Sequence, residues 1–172
     1  MRQETNLSSE KPLAVVASTV HADGYDLAKQ FAEHGYDIIV AAKNPSVVEE
    51  AQDLKELGAD AVSFQLDLST TEGVEQLYRR IIATGRPVEA MVVNSDMTEL
   101  AQKVLKDMAS RGHGRILFAG NNNEEENNLA CEAVFEEARG TGVTVTAVKT
   151  GSHEIYFLKE GYEDSSAETL LH

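Results

Sequence analysis

Cysteine is nearly absent from this chain: Cys131 is the only one in 172 residues. A lone thiol cannot close an internal disulfide, and the five histidines are too scattered to give a metal-ligand spacing. The expectation is a reducing, cytoplasmic home and no metal site. Long apolar runs are also missing, so no stretch has the length to span a bilayer. Positive charge is scarce: 15 Lys and Arg stand against 29 Asp and Glu, for a formal net charge of −14. That excess repels phosphate backbones and anionic lipid, which argues against nucleic-acid and membrane-surface partners. The first residues lack an apolar core and do not read as a secretory signal; residues 1–11 are expected to be a flexible leader.

What is present is the composition of an ordinary globular domain, with 42% hydrophobic and 26% charged residues. The length suits one domain. Apolar runs of strand length occur at Leu13–Ala17, Ile38–Ala42, Ala61–Leu66, Ala90–Val93, Ile116–Ala119 and Val143–Val148. Most are unalternated and rich in Val and Ile, as in a parallel sheet covered on both faces. The third alternates through Val62, Phe64 and Leu66, which suits a position nearer an edge.

Between these runs, apolar residues recur at helical spacing. The sets are Leu27, Ala28, Phe31 and Ala32; Val47, Ala51 and Leu54; Val74, Leu77 and Ile81; Leu100, Val104 and Met108; and Ala130, Ala133 and Val134. Ser46 with Glu49 and Ser69 with Glu72 have the spacing of capping boxes. Gly35, Gly58, Gly85, Gly112 and Gly140 follow the helical stretches as stop signals. The alternation predicts an α/β fold: a doubly wound parallel sheet of about six strands in three αβα layers. From pattern alone a flavodoxin-like strand order stays open beside 3-2-1-4-5-6.

Two segments break the rhythm. Residues 121–128 read NNNEEENN, and Glu124–Glu126 are taken as a solvated acidic loop rather than a cation site. Residues 152–172 form an acidic C-terminal tail with one apolar cluster at Ile155, Tyr156, Phe157 and Leu158. The folded domain is therefore placed at 12–151.

Three stretches, GYDLAKQFAEHGYDIIVAAKNP from Gly24, GRILFAG from Gly114 and GTGVTVTAVKTG from Gly140, resemble the short-chain dehydrogenase/reductase (SDR) family. The resemblance runs from Pro12 to about Glu163 and rests on ordered segments, each weak alone. It implies a Rossmann-like sheet in the order 3-2-1-4-5-6. It also implies a dinucleotide site built on a TGxxxGxG turn, where glycines let the backbone approach the pyrophosphate. The matching turn here runs from Ala17 to Gly24, and only Gly24 survives of the three glycines. Ser18, Thr19, His21 and Ala22 are the remaining candidate contacts, and Asp23 sets a carboxylate near the anion. The turn is thus either a weakened cradle or a vestige that keeps the fold.

After the second strand no acid is present to hold ribose hydroxyls. Lys43 stands where NADP-preferring relatives place a basic residue, which makes NADP(H) the expected dinucleotide if one binds. A solvated surface lysine is the alternative. Asp67-Leu68 matches the family's adenine-contacting pair, and Asn94 matches the Asn of its NAG motif, with Asp96 replacing the glycine.

The family's catalytic pattern is missing. Its Ser position falls on Asn121, and no tyrosine lies between Tyr78 and Tyr156, so the fifth helix has no YxxxK. The chain is shorter than its relatives where the relay Asn, the Tyr and the Lys belong. A YxxxK does occur at Tyr25–Lys29, but on the first helix, and is read as coincidence.

Three functions stay open. One is a catalytically inactive module with at most weak NADP(H) binding and a binding or regulatory role. Another is an NADP(H)-dependent oxidoreductase with an altered active site. The last is an engineered or trimmed fold without ligand. The resemblance also implies pairing through the fourth and fifth helices, hence a homodimer, or a protein partner that covers their shortened surface.

Overall fold

A computed structural model describes residues 11–17, 21–119 and 124–147, apart from the side chains of 21–24, 124 and 127. The strands are β1 (Leu13–Ala17), β2 (Asp37–Ala42), β3 (Ala61–Gln65), β4 (Val88–Val93), β5 (Gly114–Phe118) and β6 (Val143–Ala147). The helices are α1 (His21–Glu33), α2 (Val47–Glu56), α3 (Thr71–Ala83), α4 (Thr98–Arg111) and α5 (Glu124–Ala138), with a 3₁₀ turn at Ser95–Met97. All strand pairs are parallel, in the order β3-β2-β1-β4-β5-β6.

Alternation along the strands explains the two layers of core. In β1, Leu13, Val15 and Ala17 point to one face and Ala14 and Val16 to the other. The first face packs on α3, α4 and α5 through Leu77, Val104, Met108 and Val134. The second packs on α1 and α2 through Leu27, Phe31 and Leu54. A strand buried on both faces cannot use a polar alternation, which is why β1 is apolar throughout. β3 does lie at an edge, and its Val62 is exposed.

Several local expectations need correction. Thr70, not Ser69, caps α3: its Oγ1 accepts the Gly73 N–H at 3.0 Å from an extended conformation (φ −110°, ψ 151°). Ser46 sits at the N-cap of α2 in a helical conformation (φ −60°, ψ −13°), so no capping box closes there. The buried face of α5 is Cys131, Val134 and Ala138, and Ala133 faces solvent. Glu124–Glu126 form the first turn of α5 rather than a loop, where carboxylates are favoured by the helix dipole.

Candidate functional site

In an open α/β sheet, ligands bind outside the carboxyl ends of the strands, where neighbouring connections run to opposite sides. Here that point lies between β1 and β4. The predicted site residues follow β1, β2, β3 and β4, so the fold delivers them to one end of the sheet. Ser18 and Thr19 lie outside the described residues, as does Asn121. His21, Ala22 and Gly24 occupy the first turn of α1, directly after the end of β1.

The register of β2 and β3 decides the next contact. Ala42 pairs with Gln65, and the Leu66 N–H donates to the Ala42 carbonyl at 3.0 Å. The residues just beyond are therefore neighbours. Lys43 Nζ lies 3.6 Å from Asp67 Oδ2, and Gln65 Nε2 donates to the Lys43 carbonyl at 3.3 Å. Asp67 Oδ1 accepts from the Ser69 hydroxyl at 2.6 Å and the Ser69 N–H at 3.1 Å. These bonds, led by the Ser69 hydroxyl and assisted by Lys43, hold the Asp67 carboxyl below its ordinary pKa. Lys43 is therefore not an isolated surface cation: it faces a firmly ionised carboxylate.

Leu68 is 2% exposed and packs in the core with Val74 and Leu77, so its side chain belongs to the fold. Asn94 is fully buried and its Oδ1 accepts the Asp96 N–H at 3.1 Å, which shapes the 3₁₀ turn between β4 and α4. Asp96 itself is exposed. Lys43, Asp67, Asn94 and Asp96 thus give this end of the sheet one cation and two carboxylates among the described side chains. Ser69, Thr70 and Gln65 were not legible as supports, because their roles depend on loop geometry and strand register.

The two residues of the α1 YxxxK make contacts within the helix layer. Lys29 Nζ lies 5.3 Å from the Tyr25 ring centre, and Tyr25 donates to Asp53 Oδ2 of α2 at 2.9 Å. Burial, then that bond and the surrounding carboxylates, push the phenol up to about 12. A tyrosine that serves as general acid near neutrality needs the opposite shift. Cys131 is fully buried and its thiol is pushed up to about 12 by burial, so it is chemically quiet. Among the described residues no group of three His, Cys, Asp or Glu could hold a metal, and no helix is long and apolar enough to cross a membrane.

A six-stranded parallel sheet ordered 3-2-1-4-5-6, with helices on both faces, defines a Rossmann-like αβα domain. Within that class the chain belongs to the short-chain dehydrogenase family: the family's model, described as short chain dehydrogenase, matches residues 13–103, more than half of the chain. A comparison with curated proteins returned no match.

Solved structures share the fold. An actinorhodin polyketide ketoreductase variant in complex with NADPH is 20% identical with a TM-score of 0.71, over 94% of this chain and 80% of that one. An acetoin dehydrogenase from Enterobacter cloacae is 19% identical with a TM-score of 0.70, over 81% and 74%. A bulky-bulky ketone specific alcohol dehydrogenase from Comamonas testosteroni is 17% identical with a TM-score of 0.69, over 80% and 72%.

Proposed function

We propose that this chain is a non-catalytic member of its family, a Rossmann module that binds NADP(H) weakly at the carboxyl end of its sheet and serves a binding or regulatory role. The observation that carries this reading is α5. The helix runs EEENNLACEAVFEEA, with neither tyrosine nor lysine, where the family's YxxxK belongs. Tyr25, from the other YxxxK, is tied to Asp53 on the helix layer.

The case for weak dinucleotide binding comes from Lys43. Its Nζ is 3.6 Å from Asp67 and its side chain is 78% exposed, so the pair stands in solvent. Exposed pairs of this kind contribute about 0–1 kcal/mol. A 2′-phosphate can displace Asp67 as partner at little cost, but Asp67 then stands near the new anion. Lys43 would hold the phosphate, with Asp67, Asn94 and the turn residues Ser18, Thr19, His21, Ala22 and Gly24 around the remainder. A bound nicotinamide would supply hydride chemistry; this chain's residues only bind and orient it.

The test is a thermal-shift and calorimetric titration with NADPH, NADP⁺, NADH and NAD⁺, beside an assay for NADPH oxidation with aldehydes and ketones. Ligand at about ten times its Kd adds about 1.4 kcal/mol to folded stability. The expected result is a shift with the phosphorylated pair, a smaller one with NAD(H), and no turnover. Turnover abolished by Asn121→Ala would instead establish an active oxidoreductase. No shift with any of the four would leave a fold without this ligand.

Combining Ser18→Gly, Ala22→Gly and Asp23→Ile removes bulk and charge from the phosphate turn. NADPH affinity should rise by about tenfold, or about 1.4 kcal/mol. An unchanged Kd would show that the turn is not what limits binding.

A further inference from the structure

A cleft of about 790 Å³ opens at the other end of the sheet, beside the amino ends of β1, β4, β5 and β6 and the last turn of α5. Its size is that of small-molecule pockets, roughly 300–1,000 Å³. Its charge departs from that of the molecule. Lys11, Arg86, Arg115 and Arg139 line it, with Glu89 as the one carboxylate of the lining, whereas the whole chain carries −14. Basic groups gathered in a concavity focus a positive potential that an otherwise acidic surface does not offer.

Three carboxylates, Asp37, Glu89 and Glu136, stand against these four cations, and Glu89 itself pairs with His113 at 3.0 Å. Asp37, 3% exposed, is 3.1 Å from Arg86 and 4.0 Å from Lys11, one carboxylate between two cations. Arg86 also donates to the Lys11 carbonyl at 2.7 Å, so it is a fixed wall of the cleft. Arg139 pairs with Glu136 at 3.0 Å, but both side chains are more than half exposed, and such a pair exchanges at little cost.

The remaining lining mixes His113 and Thr144 with apolar and aromatic groups. Tyr36 packs edge-on against Phe31 with ring centres 4.8 Å apart, and Phe135 lies beside Arg139. The backbone here is closely packed: a Cβ on Gly142 would fall on the Gly112 carbonyl and one on Gly114 would meet Met108 Sδ at 2.6 Å.

We propose that this cleft binds a small organic anion with at least two carboxylate or phosphate groups and an apolar portion, its anionic ends held by Arg115 and Arg139. The site is separate from that of Lys43, Asp67 and Asn94 and does not depend on dinucleotide binding.

The experiment is a titration of the full chain with citrate and, separately, with inorganic pyrophosphate, followed by amide chemical shifts and calorimetry. Shifts should concentrate at Gly114–Arg115 and Gly140–Thr144, and the tighter of the two probes tells carboxylate from phosphate. Arg115→Glu with Arg139→Glu should weaken binding by more than tenfold; if that pair does not fold, Arg139→Gln alone should weaken it severalfold. Added NADPH should leave the citrate titration unchanged. Shifts centred on Lys43, displacement by NADPH, or an unchanged Kd in the folded variants would overturn the proposal.

Discussion

Asp67 shows how one residue at the candidate site ties chemistry to stability. Its folded pKa is lowered by the Ser69 hydroxyl, then the Ser69 N–H, with Lys43 adding to both. A lowered folded value means that its contribution is present above the ordinary carboxylate range, near ~3.9, and is lost as pH falls through the folded value. Asp67→Asn should therefore be less stable than the parent chain at neutral pH, and the gap should close in acid. Denaturant midpoints at several pH values measure this; a gap that stays constant would rule the carboxylate out as its source. Tyr25 has the opposite sign. Its phenol is raised to about 12, first by burial and then by Asp53, so its contribution holds below the ordinary tyrosine value of ~10 and is lost as pH rises through about 12. Ultraviolet titration of the parent and Tyr25→Phe should differ by one late-ionising phenol, with the dinucleotide titration unchanged. A Tyr25 that ionises below ~10 would return this YxxxK to consideration.

At the scale of elements, α3 offers a case where propensity and packing disagree. Gly73 lies in the first turn of α3, where alanine is the better helix former by about 1 kcal/mol. A Cβ there would fall on the Asp67 carbonyl, the same carbonyl that accepts the Thr70 hydroxyl at 2.9 Å. Gly73→Ala should thus destabilise by about 1–3 kcal/mol and disturb the Lys43–Asp67 contact. A melting temperature equal to or above the parent's would show that the turn gives way. The contrast also shows what was legible in the chain. Gly35, Gly58, Gly85, Gly112 and Gly140 all adopt positive φ, between 68° and 98°, as their places after helical stretches imply. Six strands and five helices were readable because burial on one or both faces writes a period into the sequence. The start of α3 was not, because Ser69 is the better cap by type and only the loop decides that Thr70 is the extended residue. On α5, Ala130 and Val134 pack on the core as their spacing implies, and only Ala133 turns outward, because a side chain that small can sit in or out. The Lys43–Asp67 pair required the β2–β3 register, and the basic cleft required turns far apart in sequence; neither leaves a local pattern.

For the whole molecule the deciding quantity is charge. The outward residues of α4 include Glu99 and Lys106, and those of α5 include Glu125, Glu126, Glu132, Glu136 and Glu137. These are the helices through which the family resemblance implies pairing. The homodimer expected on that resemblance brings two acidic α5 surfaces together, in molecules that each carry −14. Like charges across an interface oppose association, and salt weakens the opposition as the Debye length falls from about 10 Å at about 0.1 M to about 3 Å at about 1 M. Dimerisation should therefore be favoured by salt. Sedimentation equilibrium across that range should show the dimer fraction rising, and Glu132→Lys with Glu136→Lys should remove most of the salt dependence. A dimer that dissociates as salt is added would be held by opposite charges instead. That result would place the interface elsewhere, with the basic cleft on one copy and the acidic helix of another as the complementary surfaces to test by Arg139→Glu.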